Sequence, residues 1–469
     1  MLGLANMHTL AEISSEKIGK MKRYFRKIHI PKELQLLLLV AIVVRIVFLL
    51  IYHPVLWPDS GGYLKLAQAM TNFNIANDPG TRTPIYPLFI ALLKLNSWSV
   101  FLAQSMLGIA ISVFLYSIFT RLSSKPVVGV ISGLVHSLNP SALFFEANIL
   151  SETLTTFFVC LTVLFAFSVV HSGKLRPSAC FLVGITSCLA GLTRPLFQLL
   201  PIALMLVVTY AQYSRCRQLH IKNILLSASS ILLPFLILIV GWSYVNYNRF
   251  GHFTISTLTG YRLTQHSGKF IEKAPDEYKI IADSYIQERD KKIATTGTSA
   301  GTIWRARKKM LTSSGLSHAE LSKKLTKMSI ALFIANPVSY GKSVIQSFIL
   351  FWFPAPYHEG YSIGRFFSGR EVWWVYPYSF VYLLLIAVYF SFMLLLVISR
   401  RIKDLLWKSD MAVIFSIIAY TSVVSSMTEF GENARFKVPI ESLVMGLVVL
   451  FVYLMVSYRR SPRASAKTG

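Results

Sequence analysis

Charge is scarce in this chain. Only 14% of its 469 residues are Asp, Glu, Lys or Arg, whereas a soluble domain carries roughly a quarter. With 54% hydrophobic residues, the composition excludes an ordinary soluble protein. Acidic residues are the scarcer kind: 21 Asp and Glu against 47 Lys and Arg, a formal net charge of +26. Such an excess also marks nucleic-acid binders. Here the basic residues flank apolar runs and form no face on a soluble domain, so nucleic acid is not an expected partner. Cysteine is scarcer still. Cys160, Cys180 and Cys188 fall inside apolar segments and Cys216 in a short basic loop. None has the spacing of a disulfide framework or a metal site. No glycine-rich loop offers a cradle for a nucleotide. No small-residue cleavage site follows the first apolar run, which therefore reads as a retained span and not a signal peptide.

What the chain does have is apolar length. Stretches long enough to cross a bilayer recur throughout, and each must be helical, because lipid offers no partner to an unpaired amide. The expected fold is an all-α polytopic membrane protein of about 10–11 transmembrane helices. Spans are placed at 35–52, 98–120, 127–145, 148–170, 177–192, 196–212, 223–244, 376–398, 411–427 and 438–457. The segments before, between and after them on one side (1–34, 121–126, 171–176, 213–222, 399–410 and 458–469) hold 22 of the 47 Lys and Arg. That side is expected to be cytoplasmic, with both termini on it. The chain then divides into a basic leader 1–34, a conserved membrane module 35–244, an outer region 245–375, terminal spans 376–457 and a basic tail 458–469.

The module carries the first outer loop, 53–97. The outer region is polar over 249–327, with fifteen Lys and Arg and seven Asp and Glu. Short amphipathic helices are expected there, at 270–292 and 303–327, joined by "ATTGTSAGT" (294–302). Segment 328–354 reads as an interfacial helix broken near Asn336-Pro337, then a short apolar helix. A single crossing there would invert everything after it.

Under this topology the unusual polar residues share one edge of the membrane: Asp59, Tyr63 and Arg82, then Glu146 and Glu152, then Arg194, then Glu432, Arg435 and Lys437. Ionisable groups at that depth are costly unless paired, wetted or functional. Each has a plain structural alternative. Asp59 could cap the helix that begins "SGGYLKLAQAM". Glu146 and Glu152 could pair with an arginine, Arg194 could meet headgroups, and Arg435 could pair with Glu429 or Glu432. Arg45 lies inside the first span and is expected to pair or snorkel. His136 is expected to be a satisfied buried histidine. Together, an acid and several arginines suit transfer from a phospholipid-like donor: the acid accepts a proton from an attacking hydroxyl, and arginines bind phosphate.

Five stretches in order carry a resemblance: "WPDSGGYLKLAQAM", "TRTPIYPLFIALL" (81–93), "NPSALFFEANILSETLTTFF" (139–158), "GLTRPLFQLLP" (191–201) and "ARFKVPIESLV" (434–444). In these the chain resembles the GT-C glycosyltransferases, in the branch of protein O-mannosyltransferases and lipid A aminoarabinose transferases. The resemblance implies an integral-membrane enzyme, expected in a bacterial inner membrane. It would move a sugar, with inversion, from a polyprenyl-phosphate donor to a lipid, glycan or protein acceptor on the outer side. Asp59 matches the catalytic acid of the first outer loop, the expected general base. Glu152 matches the acid of the second outer turn, which would orient acceptor or sugar. Tyr63, Arg82, Arg194 and Arg435 fall where the donor and its phosphate would be held. Two departures stand out. Asp59 is followed by Ser60, not by a second acid, His or Tyr. Position 81, acidic near a metal in some relatives, is Thr81. The resemblance therefore requires no cofactor, and a divalent metal is left open. The rival readings are a glycan polymerase or ligase and a lipid-linked-sugar transporter. The latter would show acids inside the spans and helices broken at mid-membrane.

Overall fold

The computed structural model describes residues 31–171, 176–215, 221–354, 375–398 and 409–460. The chain runs through α1 (Lys32–Ile51), α2 (Ser60–Thr71), α3 (Ile85–Leu92), α4 (Ser97–Ser123), α5 (Pro126–Ser137), α6 (Pro140–Ala147), α7 (Glu152–His171), α8 (Pro177–Thr193) and α9 (Leu200–Arg215). Next, α10 (Ile221–Pro234) continues through a π turn at Phe235–Val240 into α11 (Gly241–Phe250). There follow α12 (Thr259–Ser267), α13 (Lys279–Thr296), α14 (Thr302–Ser314), α15 (His318–Ala335) and α16 (Pro337–Trp352). The C-terminal part holds α17 (Val375–Ile398), α18 (Ser409–Thr428), the single turn α19 (Asn433–Phe436) and α20 (Val438–Arg460). Among the described residues the only strand-like pairing is an isolated bridge between Val55 and Asn148.

The protein is an all-α polytopic membrane protein. Among the described residues seven helices are long and apolar enough to cross a membrane: α1, α4, α7, the joined α10–α11, α17, α18 and α20. The pair α5–α6 qualifies as one broken span, bent by 53°. The remaining expected positions are occupied by shorter apolar helices, α8 and the segment Pro195–Ala211.

Where the structure departs from expectation, local chemistry gives the reason. The span expected at 127–145 is broken because Asn139 accepts from the Ser141 amide at 2.9 Å and Pro140 takes the first helical position, the start signal of a new helix. The helix expected at 303–327 is two helices. Gly315, at φ +63°, closes α14, and a Ser317–Glu320 capping box opens α15. The helix expected at 270–292 begins only at Lys279 and runs on to Thr296. Segment 328–354 does break at Asn336, where Pro337 opens α16.

The central spans share one apolar core through residues such as Phe119, Phe167, Phe197, Phe392 and Leu447. Helices α12–α15 have a core of their own, built on Tyr261, Tyr285, Met310, Leu325 and Met328. They form a small helical cap. Its base is stitched to the first loop: the Thr257 amide donates to Gly80 O at 2.8 Å, and Ser256 Oγ donates to Thr81 O at 2.9 Å. A third cluster, with Tyr63, Tyr86, Phe144 and Phe145, lies beneath that loop. These contacts hold the loop between the helix array and the cap.

Candidate active site

Helix α1 ends at Ile51, and Tyr52 is already extended. The chain therefore leaves the span well ahead of Pro58. Val55 then joins the backbone on either side of Asn148: its amide donates to Ala147 O at 3.0 Å, and its carbonyl accepts from the Ile149 amide at 3.1 Å. Ser60 Oγ donates to Ile149 O at 3.0 Å. These contacts pin the start of α2 against the turn that precedes Glu152.

Asp59 occupies the N-cap position of α2, but its side chain makes no capping bond. Its carboxylate is used by two arginines. Arg82 Nη2 donates to Oδ1 at 2.8 Å, and Arg435 Nη1 donates to Oδ2 at 2.6 Å. Burial alone would push this carboxyl up. The two guanidinium groups outweigh it and hold Asp59 well below the usual carboxylate range. Arg82 lies over the Tyr63 ring, 4.6 Å from its centroid, and Tyr63 is fixed by a 3.1 Å hydrogen bond to Ser151 Oγ. Gly62 is what lets Arg82 in, since a Cβ there would lie 2.8 Å from Arg82 Nε. Gly61 has open space around it.

Behind this layer lies Glu152, with no exposed surface. Arg435 Nε donates to its Oε1 at 2.5 Å, and Arg194 Nη1 lies 2.9 Å from the same oxygen. Arg435 thus bridges Asp59 and Glu152, and its own charge is strongly favoured by both carboxylates despite its burial. Arg194 also lies over the Phe436 ring, 4.6 Å from its centroid.

These groups surround a cavity of about 700 Å³, lined by Asp59, Tyr63, Arg82, Arg194 and Arg435 among others. Five of the six expected site residues therefore line one space. Glu152 does not line it; it supports two arginines that do. Two residues expected at this edge lie elsewhere. Glu146 pairs with Arg45 of α1 at 2.7 Å, both fully buried. Lys437 turns away to donate to Phe353 O at 2.7 Å. His136 bonds Ser442 Oγ at 2.7 Å through Nδ1.

The cap and the turn before α19 supply lining residues that sequence reasoning did not place: Arg262, Trp304, Arg307 and Glu429. Arg262 and Arg307 carried no distinguishing signal among the fifteen basic residues of 249–327. Glu429 had been considered only as a partner for Arg435. It instead faces Arg262, with 3.9 Å between Oε2 and Nε. That is too long for a hydrogen bond, and the attraction does not repay desolvation. Burial pushes the Glu429 carboxyl up to about 8, only partly offset by Arg262, and pushes the Arg262 guanidinium down.

Among the described residues no three His, Cys, Asp or Glu side chains gather into a metal site. Both oxygens of Asp59 are already held by guanidinium groups, so the residues present do not fit a divalent ion.

Residues 83–244, from α3 to α11, match the family model described as dolichyl-phosphate-mannose-protein mannosyltransferase. Over that segment, about a third of its length, the chain is similar to this family, which is of the GT-C superfamily. The match takes in Glu152 and Arg194 and begins one residue after Arg82; Asp59 and Arg435 lie outside it. No curated protein and no solved structure matches the chain. The matched segment thus contributes Thr83, Arg194 and Pro195 to the cavity, and the first loop, the cap and the turn around α19 complete it.

Proposed function

We propose that this membrane glycosyltransferase moves a sugar from a polyprenyl-phosphate donor to an acceptor hydroxyl, with inversion, on the outer face of a bacterial inner membrane. The observation that carries the reading is the meeting of a carboxylate and three guanidinium groups in one cavity, at one end of a GT-C module. Arginine matches phosphate in geometry and keeps its charge when buried. Arg82, Arg194 and Arg435 hold the phosphate, and Tyr63 backs Arg82 through its ring. The acceptor oxygen attacks the anomeric carbon. The bond from that carbon to the phosphate oxygen breaks, and its electron pair leaves with the phosphate. Asp59 takes the hydroxyl proton as general base.

Two arginines holding Asp59 make it a weak base in the free protein. The donor phosphate competes for the same guanidinium groups, and as their hold on Asp59 loosens its basicity returns. Base strength is thereby tied to an occupied donor site. Glu152 acts as a positioning residue: it fixes Arg194 and Arg435 and does not touch the reacting atoms. The basic loops on the opposite side of the membrane favour the outer location.

The test is transfer from a polyprenyl-phosphate sugar by purified Asp59→Asn protein. The variant should elute as folded protein and transfer no sugar. Wild-type rates in the variant would remove Asp59 from the mechanism.

A further inference from the structure

The geometry points to a second subsite in the same cavity: Glu429, held by Gln265 of the cap, reads hydroxyl groups of the transferred sugar together with Arg262. This rests on the transferase reading above and adds the part of the site that selects the sugar.

The position of Glu429 is built, not incidental. Its amide donates to Ser425 O at 2.9 Å, and its carbonyl accepts from Ser347 Oγ at 2.6 Å and from Asn433 Nδ2 at 2.9 Å. Gly431, at φ +110°, then turns the chain toward α19, a conformation that suits glycine. The carboxyl so placed is only 4% exposed, yet it lines the cavity. Oε1 accepts from the Gln265 amide. Among the described residues Oε2 has only the distant Arg262.

Among the described residues, then, a buried carboxyl with an uncommitted oxygen faces a guanidinium group that no carboxylate holds at hydrogen-bonding distance. A phosphate does not suit this pair: the carboxyl opposes it when ionised and offers it only a single donor in the acid form. A cation does not suit it either, because Arg262 opposes that. A neutral polyol fits both, since each sugar hydroxyl can donate and accept. Around Asp59, Arg82 and Arg435 give the cavity its anion-binding character, and Arg194 borders both parts, lying over the same Phe436 ring as Arg262. The cavity thus divides into a phosphate end and a polyol end.

The charged and titratable groups facing Glu429 are Arg262 and His266 of α12, Arg194 beyond α8, and Glu432 on its own turn. The structure places Ser347 against it from α16. With burial dominant, the acid form prevails at neutral pH and can donate to a sugar oxygen. That donor is lost as the pH rises through about 8.

The experiment measures KM and kcat separately with a panel of polyprenyl-phosphate hexoses that differ in the configuration of single hydroxyls. Glu429→Ala should raise KM for the preferred donor about tenfold, the worth of one or two lost hydrogen bonds, and flatten discrimination among epimers. In the wild type KM should climb above the pH at which Glu429 ionises; in Glu429→Gln that climb should vanish. Unchanged KM and epimer ratios in a folded Glu429→Ala protein would overturn the proposal. If that variant does not fold, Glu429→Gln decides, and a wild-type pH profile with wild-type epimer ratios overturns it. A wild-type protein that transfers no sugar from any member of the panel refutes the transferase reading, and this subsite with it.

Discussion

Glu152→Gln separates positioning from chemistry. In the folded protein one carboxylate oxygen serves Arg435 at 2.5 Å and Arg194 at 2.9 Å, and the residue has no exposed surface. The amide is nearly isosteric but neutral. Each charge-assisted contact, worth about 1.5–3 kcal/mol, falls to an ordinary one of about 0.5–1.5 kcal/mol. The Arg435 hydrogen bond and the poorly aligned Arg194 ion pair together put the loss at about 2–3 kcal/mol. Arg435 keeps Asp59 at 2.6 Å, and both arginines border the cavity, so the loss should not exceed that figure. Thermal unfolding of the purified protein in detergent, followed by tryptophan fluorescence, should show the variant melting several degrees below the wild type. Donor binding should weaken in parallel, because Arg194 and Arg435 are no longer held in place. A Glu152→Gln protein that melts with the wild type and binds donor equally well would refute the argument that Glu152 organises the arginines.

Arg82→Ala should weaken donor binding by about 1.5–3 kcal/mol, roughly ten- to hundredfold, with a smaller effect on folding; unchanged affinity in equilibrium binding would reject its contact with phosphate. Asp59 is held below its unfolded value, so its contribution to stability is present above the ordinary carboxylate pKa and fades as the pH falls through the folded one. The stability gap between wild type and Asp59→Asn should accordingly narrow in strong acid, and a gap that widens there would contradict the ion pairs. Reporter fusions at residues 300 and 430 should both read as outside the cytoplasm; a cytoplasmic signal from either would overturn the topology.

Much of the cavity's charged lining was readable before any coordinates. Asp59, Arg82, Arg194 and Arg435 stand out because ionisable residues at the ends of apolar helices carry a cost that demands a reason. Glu146 and Lys437 stood out by the same criterion yet found partners away from the cavity. Sequence spacing could not separate the two outcomes, because an ion pair formed inside the helix array and one formed at its mouth leave the same trace. Arg262 and Glu429 were illegible for the opposite reason. One lay among many cap cations, and the other beside a nearer-looking partner.

Composition and apolar length by themselves determined that this chain is a helical membrane protein and roughly where its helices run. Water and lipid impose that requirement on each segment separately, whatever its neighbours do. Which charges meet was decided only by the tertiary structure. Arg435 reaches Asp59 across 376 residues and Glu152 across 283, and nothing local to any of the three favours those partners. The packing of α2, α7 and α19 at one end of the bundle does, because it brings the three into one partly dry space, where opposite charges must pair to be tolerated at all.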